Sequence, residues 1–154
     1  MIQDGTNWFE DLHPGDRFTT GGILVTEAHV VGFAGLTGDL FDLHMDEQFA
    51  RDLGFKGRVA HGLLGLALTD GLKNRAAPRL RAVASLAWNW RFTRPILIGD
   101  RIHAQIEVAA TRETGRPDRG IVTLAFRVCN QAGELVQEGT NELMVLRRPN
   151  KEDP

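Results

Sequence analysis

The chain sets an aspartate and a histidine five residues apart in Thr37-Gly38-Asp39-Leu40-Phe41-Asp42-Leu43-His44. Ala60-His61-Gly62 follows at the head of an apolar stretch. A carboxyl and an imidazole that reach one small reactant can move protons to and from carbon, one accepting while the other delivers. Two groups of tuneable proton affinity that hold one water between them make a hydration or dehydration site. Negative charge that develops on a nearby oxygen needs a donor. The backbone N–H of Gly62, at a helix N-terminus and with no side chain in the way, is suited to a carbonyl or thioester oxygen. Phe41 and Leu43 are apolar flanks expected to dehydrate the site, and a partly dehydrated carboxyl holds its proton more readily.

Each of these residues also has a plainer reading. Asp39 can be a turn residue, His44 a surface or capping residue, and Gly62 a glycine that merely opens a helix. His61 can supply a further donor, or it can be a core histidine bonded to a backbone carbonyl. Asp70 lies in the apolar stretch after Gly62. It needs solvent or a partner, because an unpaired buried charge is costly. It is either a site residue or the partner of a neighbouring arginine. His13, His29 and His103 share no metal-ligand spacing, so no metal site is expected. Neither a Gly-x-Ser-x-Gly nor a glycine-rich phosphate motif occurs. Arg79, Arg81, Arg91, Arg94 and Arg101 could meet coenzyme phosphates, or they form a solvated surface with local ion pairs.

Composition excludes several classes. The net charge of -2 gives no field that favours nucleic acid. No apolar run approaches a membrane span. Met1-Ile2-Gln3-Asp4-Gly5 carries neither a basic start nor an apolar stretch, so a secretory signal is not expected and the cytoplasm is the default location. The single Cys129 rules out an internal disulfide, and its place in an alternating run marks it as a small packed residue. With 154 residues the chain is long enough for one domain with a sizeable core.

The elements that must position these groups follow from pattern. Thr26 caps a helix through Val30, Val31, Phe33, Ala34 and Leu36, and Gly38 ends it. Asp39 therefore falls in a loop just past a helix C-terminus. Asp46 caps a second short helix running through Phe49 and Leu53 to Gly54. From His61 to Leu72 apolar residues cover nearly the whole circumference, which predicts a buried central helix. Its Gly62, Gly65 and Gly71 weaken it, so packing must compensate or something must approach its backbone closely. A short strand is expected around Arg17-Phe18-Thr19. After Val83 the period changes to two. Val83 to Arg94, Arg101 to Arg112, Ile121 to Asn130 and Leu135 to Leu146 read as antiparallel strands with one buried face. Helices followed by four long strands give an α+β fold, with a curved antiparallel sheet wrapped around the long helix.

Gly38-Asp39, His44-Met45-Asp46 and Ala60-His61-Gly62-Leu63-Leu64 together resemble the hydratase motif of the MaoC-like, R-specific enoyl-CoA hydratases. Arg91-Phe92 through Pro95 to Val108 resembles the strand-turn-strand that follows the family's central helix. The resemblance implies a single hot-dog domain over residues 1–148, with a polar tail at 149–154. It also implies dimers or larger homo-oligomers, acyl-CoA as the partner molecule, and no cofactor beyond the coenzyme A carried by the substrate. The implied activity is reversible hydration of trans-2-enoyl-CoA to (R)-3-hydroxyacyl-CoA. Asp39 and His44 match the catalytic dyad and Gly62 the oxyanion donor. Phe41, Leu43, His61, Leu63 and Asp70 are expected at the substrate. Two positions depart from the family pattern. Phe41-Asp42 stands where Asn-Pro is common, and Asp70 where a serine is found.

Two competitors share the same scaffold. A thioesterase would direct water at the carbonyl and release free thiol. A non-catalytic partner subunit would bind the acyl thioester without turnover, because fold alone does not assign a reaction.

Overall fold

A computed structural model describes residues 2–149, so the expected polar tail at 149–154 lies, apart from Pro149, outside the described residues. The chain begins with β1 (Gly5–Asn7), a 3-10 turn (Phe9–Asp11), β2 (Arg17–Thr19) and β3 (Ile23–Leu24). Four helices follow: α1 (Glu27–Thr37), α2 (Asp42–Met45), α3 (Glu47–Asp52) and α4 (Gly62–Asn74). The rest is strand: β4 (Pro78–Leu80), β5 (Ala82–Phe92), β6 (Arg101–Glu113), β7 (Arg119–Cys129) and β8 (Leu135–Leu146).

Five strands run antiparallel in the order β2-β6-β7-β8-β5, with β3 also paired to β6. Each long pairing contains register irregularities, at Val108/Ala110, Val128/Cys129, Ala82/Ala84 and Ser85/Ala87. An extra residue on one strand bends and twists the ladder, which is how a sheet of this length curves around a helix. β1 and β4 form a separate parallel pair that no sequence pattern anticipates.

The alternation predicted for the strands holds in β6 and β7, whereas β5, expected to bury one face, has no fully buried residue. Ile102, Ala104, Ile106 and Val108 of β6 are buried, as are Val122, Leu124, Phe126 and Val128 of β7. They form one core with Leu64 of α4, Val25 and Val30. Cys129 is buried and free.

The central helix differs from expectation in one respect. Leu64, Gly65, Thr69 and Leu72 are buried, a face spaced by three and four residues. Leu63, by contrast, is 61% exposed, and Ala67 is exposed as well. The chain's own sheet covers one side of the helix only. The uncovered apolar residues have counterparts on β5, which pairs only with β8 among the described residues. β5 leaves Val83, Leu86 and Phe92 about half exposed.

Candidate active site

The loop that carries Asp39 is set by how α1 ends. Thr26 Oγ1 accepts from His29 N–H at the start of the helix. At the other end Gly38 takes φ 79° and donates to Ala34 O at 2.8 Å. This left-handed position suits glycine, which has no Cβ to clash. Thr37 Oγ1 donates to Phe33 O at 2.7 Å and accepts from Asp39 N–H at 3.2 Å. Asp39 Oδ1 receives Phe41 N–H at 3.4 Å.

His44 rides on α2, a single turn that the sequence pattern did not disclose. Its Nδ1–H donates to Val59 O at 2.6 Å, and Val59 N–H donates back to Leu43 O at 3.2 Å. A carbonyl can only accept, so Nδ1 bears the proton and neutral His44 presents Nε2 as a lone pair. Arg58 braces the same turn. Its Nε donates to His44 O at 2.7 Å and Nη1 to Glu27 Oε1 at 2.5 Å, with the side chain only 13% exposed.

His61 joins the two halves. Its Nε2–H donates to the main-chain carbonyl of Asp39 at 2.9 Å, and its ring stacks on that of His44 with centroids 3.8 Å apart. Phe33 covers the ring's flank at 5.0 Å. His61 is 2% exposed, and its Nδ1 has no partner among the described residues. Of the readings open to His61, the carbonyl-bonded core histidine is the one realised. Asp39, His44 and His61 each bring one side-chain ligand atom within 4.8 Å of the others. A carboxylate and two imidazoles, each imidazole with one nitrogen bonded to a backbone carbonyl, can hold a water or a divalent cation.

A cavity of about 450 Å³ adjoins this cluster. Leu43, Phe55, Val59, Leu63, Phe92 and Ile96 give it apolar walls, and His44, Gly62, Arg94 and Gln137 bring polar atoms. Gly62 opens α4, whose N-cap residue His61 makes no side-chain capping bond. The first N–H groups of the helix are therefore available to a ligand. The Phe92 ring lies against Gly62: a Cβ there would stand 2.8 Å from Phe92 Cε1.

Other expected residues fall elsewhere. Phe41 is exposed, with its ring edge-on to His44 at 6.0 Å and to Phe49 at 5.8 Å. Asp39 is also exposed, so Phe41 and Leu43 do not seal the carboxylate from water as expected. Phe41 turns toward His44 and Phe49, not over Asp39. Asp70 lies two turns along α4, outside the residues that line the cavity. It pairs with Lys73 Nζ at 2.5 Å, a lysine where an arginine was expected. Of the five arginines singled out as coenzyme candidates, Arg94 alone lines the cavity. Arg81 sits over the Trp8 ring at 5.5 Å.

Sequence reasoning missed Arg58 and Gln137. Nothing in the pattern marks Arg58. Gln137 did leave a signal, as a polar residue at an inward-facing position of β8 in phase with Asn141, Leu143 and Val145.

Residues 11–127 match the MaoC like domain. The chain is 35% identical over 112 residues to an (R)-specific enoyl-CoA hydratase of Aeromonas caviae, an overlap of 73% of this chain and 80% of the relative. It superposes on the crystal structure of the MaoC-like dehydratase from Rhodospirillum rubrum with TM-score 0.86 and 34% identity, covering 94% of this chain and 99% of that one. A conserved hypothetical protein of Mycobacterium tuberculosis with a double hotdog fold matches with TM-score 0.84 at 22% identity. That match covers 97% of this chain and 47% of the other, and it bears on the fold alone.

Proposed function

The chain belongs to the MaoC-like dehydratase family and has its hot-dog fold, and on that premise we propose that it is a hydro-lyase. It adds water reversibly and syn across trans-2-enoyl-CoA to give (R)-3-hydroxyacyl-CoA. The observation that carries this reading is the meeting of Asp39 and His44 with His61, which comes from a separate segment, beside a cavity that also reaches Gly62.

The water sits between the Asp39 carboxyl and His44 Nε2, the nitrogen left with a lone pair by the bond to Val59. His44 Nε2 takes a proton from the water as its oxygen bonds to the β-carbon. Asp39, entering the cycle as the protonated acid, delivers its proton to the α-carbon from the same face, and the proton gained by His44 then returns to Asp39 to reset the pair. Between these events electron density moves onto the thioester oxygen, where Gly62 N–H meets it. The apolar walls receive the acyl chain, and coenzyme A enters only as part of the substrate. Arg94, on the cavity wall and 3.7 Å from Glu134, would exchange that exposed carboxylate for the coenzyme's phosphates.

The reading extends to assembly. β5 is a long edge strand with unpaired backbone groups and exposed Val83 and Leu86, beside the uncovered face of α4. Such an edge invites pairing with another chain. A second copy in a homodimer would cover strand and helix together.

The test is hydration of crotonyl-CoA and of longer and bulkier enoyl thioesters, followed by loss of enoyl absorbance, with free thiol measured in parallel. Wild type should consume the enoyl group without releasing thiol. Asp39→Asn should lower the rate by roughly a hundredfold or more. Normal hydration by Asp39→Asn, or thiol release from saturated acyl-CoA, would overturn the assignment.

A further inference from the structure

Gln137 points inward from β8, is 2% exposed, and takes no part in the proton transfers above. Its two ends are tied to different elements. Trp90 Nε1–H, on the edge strand β5, donates to Oε1 at 3.0 Å. Nε2–H donates to the carbonyl of Gly62 at 3.0 Å. The amide has one orientation only, because an indole N–H can only donate and a carbonyl can only accept. The helix leaves room for it. A Cβ at position 65 would stand 2.3 Å from Gln137 Nε2, so glycine at 65 is what lets the amide lie against the first turn of α4.

That turn needs holding. No side chain caps it, and Gly62 has the least restricted backbone of any residue type. A donor to a developing oxyanion is effective only if it is already in place when the charge appears. We infer that Gln137 is a positioning residue: oriented by Trp90, it clamps the Gly62 carbonyl so that the preceding N–H faces the cavity. The inference rests on the hydratase reading, since it gives that N–H the thioester oxygen as its target. It makes the donor's placement depend on β5 and β8 as well as on α4.

Two measurements on the full chain test it. The first is steady-state hydration of crotonyl-CoA by wild type, Gln137→Met, Trp90→Phe and the double variant. Gln137→Met keeps length and loses both bonds; Trp90→Phe keeps a ring and loses the indole donor. Gln137→Met should lower kcat by roughly 10- to 100-fold, the scale of a displacement of about 1 Å at the reacting centre, with little change in KM. Trp90→Phe should lower kcat less, and the double variant should be no slower than Gln137→Met alone, because Trp90 acts only through Gln137.

The second is the infrared carbonyl stretch of bound butyryl-CoA carrying ¹³C at the thioester carbon, a saturated ligand that cannot be hydrated. Wild type should lower that frequency relative to free ligand, and Gln137→Met should reverse most of the shift. Unchanged kcat and carbonyl frequency in Gln137→Met, or additive losses in the double variant, would overturn the inference while leaving hydration by wild type intact. If Gln137→Met fails to fold, an unchanged kcat in Trp90→Phe overturns it equally. Absence of hydration by wild type on every enoyl thioester would remove the parent reading and this inference with it.

Discussion

Two glycines of α4 face opposite consequences from the same substitution. Alanine in place of either gains roughly 1 kcal/mol of intrinsic helix preference. At Gly71 an added Cβ meets nothing within 4 Å, so Gly71→Ala should stabilise the protein by roughly 0.5–1 kcal/mol. At Gly65 the Cβ would stand 2.3 Å from Gln137 Nε2 and 2.8 Å from Ile96 Cδ1. Ordinary contact needs about 3.5 Å, so the amide must retreat by about 1 Å. Retreat breaks its bonds to Gly62 and Trp90, worth about 1 kcal/mol each. Crowding of Ile96 adds roughly 1–3 kcal/mol. After the helical gain, Gly65→Ala should destabilise by roughly 2–4 kcal/mol. At roughly 2–4 °C per kcal/mol for a domain of this size, its Tm should fall by roughly 5–15 °C while that of Gly71→Ala rises by a few degrees. Parallel thermal melts and urea titrations measure both. Because the propensity gain is common to the pair, their difference isolates the contacts at Gln137 and Ile96. Equal upward shifts in both variants would refute the reasoning.

Arg58→Met should cost roughly 1–3 kcal/mol in urea unfolding, because it strips a nearly buried guanidinium from His44 O and Glu27; it should also lower kcat for hydration by loosening the turn that carries His44. Leu86→Lys puts a charge on the exposed edge of β5 and should shift the protein toward monomer, read by light scattering on a sizing column. Hydrogen bonds from Arg51, then from Arg58 N–H, hold the Glu47 carboxyl below its ordinary 4.5. Its folded value is therefore depressed. The stability it contributes is complete above about 4.5 and is lost as pH falls through the lowered value, so Glu47→Gln should flatten the acid limb of the unfolding curve below that pH.

Local physics made much of the fold legible. The Thr26 and Gly38 caps and the Asp46 cap each announce themselves through one side chain or one backbone preference, and each stands where expected. The run Leu135 to Leu146 matches β8 at both ends, set between the Gln131-Ala132-Gly133 turn and the polar residues from Arg147 onward. Full burial of α4 does not follow from its sequence, because apolarity all round a helix does not say how much of it the rest of the chain can reach. β1 and β4 are three residues each, too short to carry a period. At the site, Asp39, His44 and Gly62 could be named from spacing and residue type. Arg58 could not, since its role depends on a carbonyl in another segment. The inward phase of Gln137 was visible, but its partner Trp90 lies 47 positions away.

The ring of His44 takes its tautomer from the peptide units on either side of Val59, one receiving its proton and the other reaching back to Leu43. The same stretch is bridged to Leu97. Main-chain atoms are common to every amino acid, so exchanging the Val59 side chain leaves this bookkeeping of protons untouched so long as the strand keeps its path. Only a rotation of that peptide plane would hand the proton to the opposite nitrogen and turn an acceptor of water into a donor.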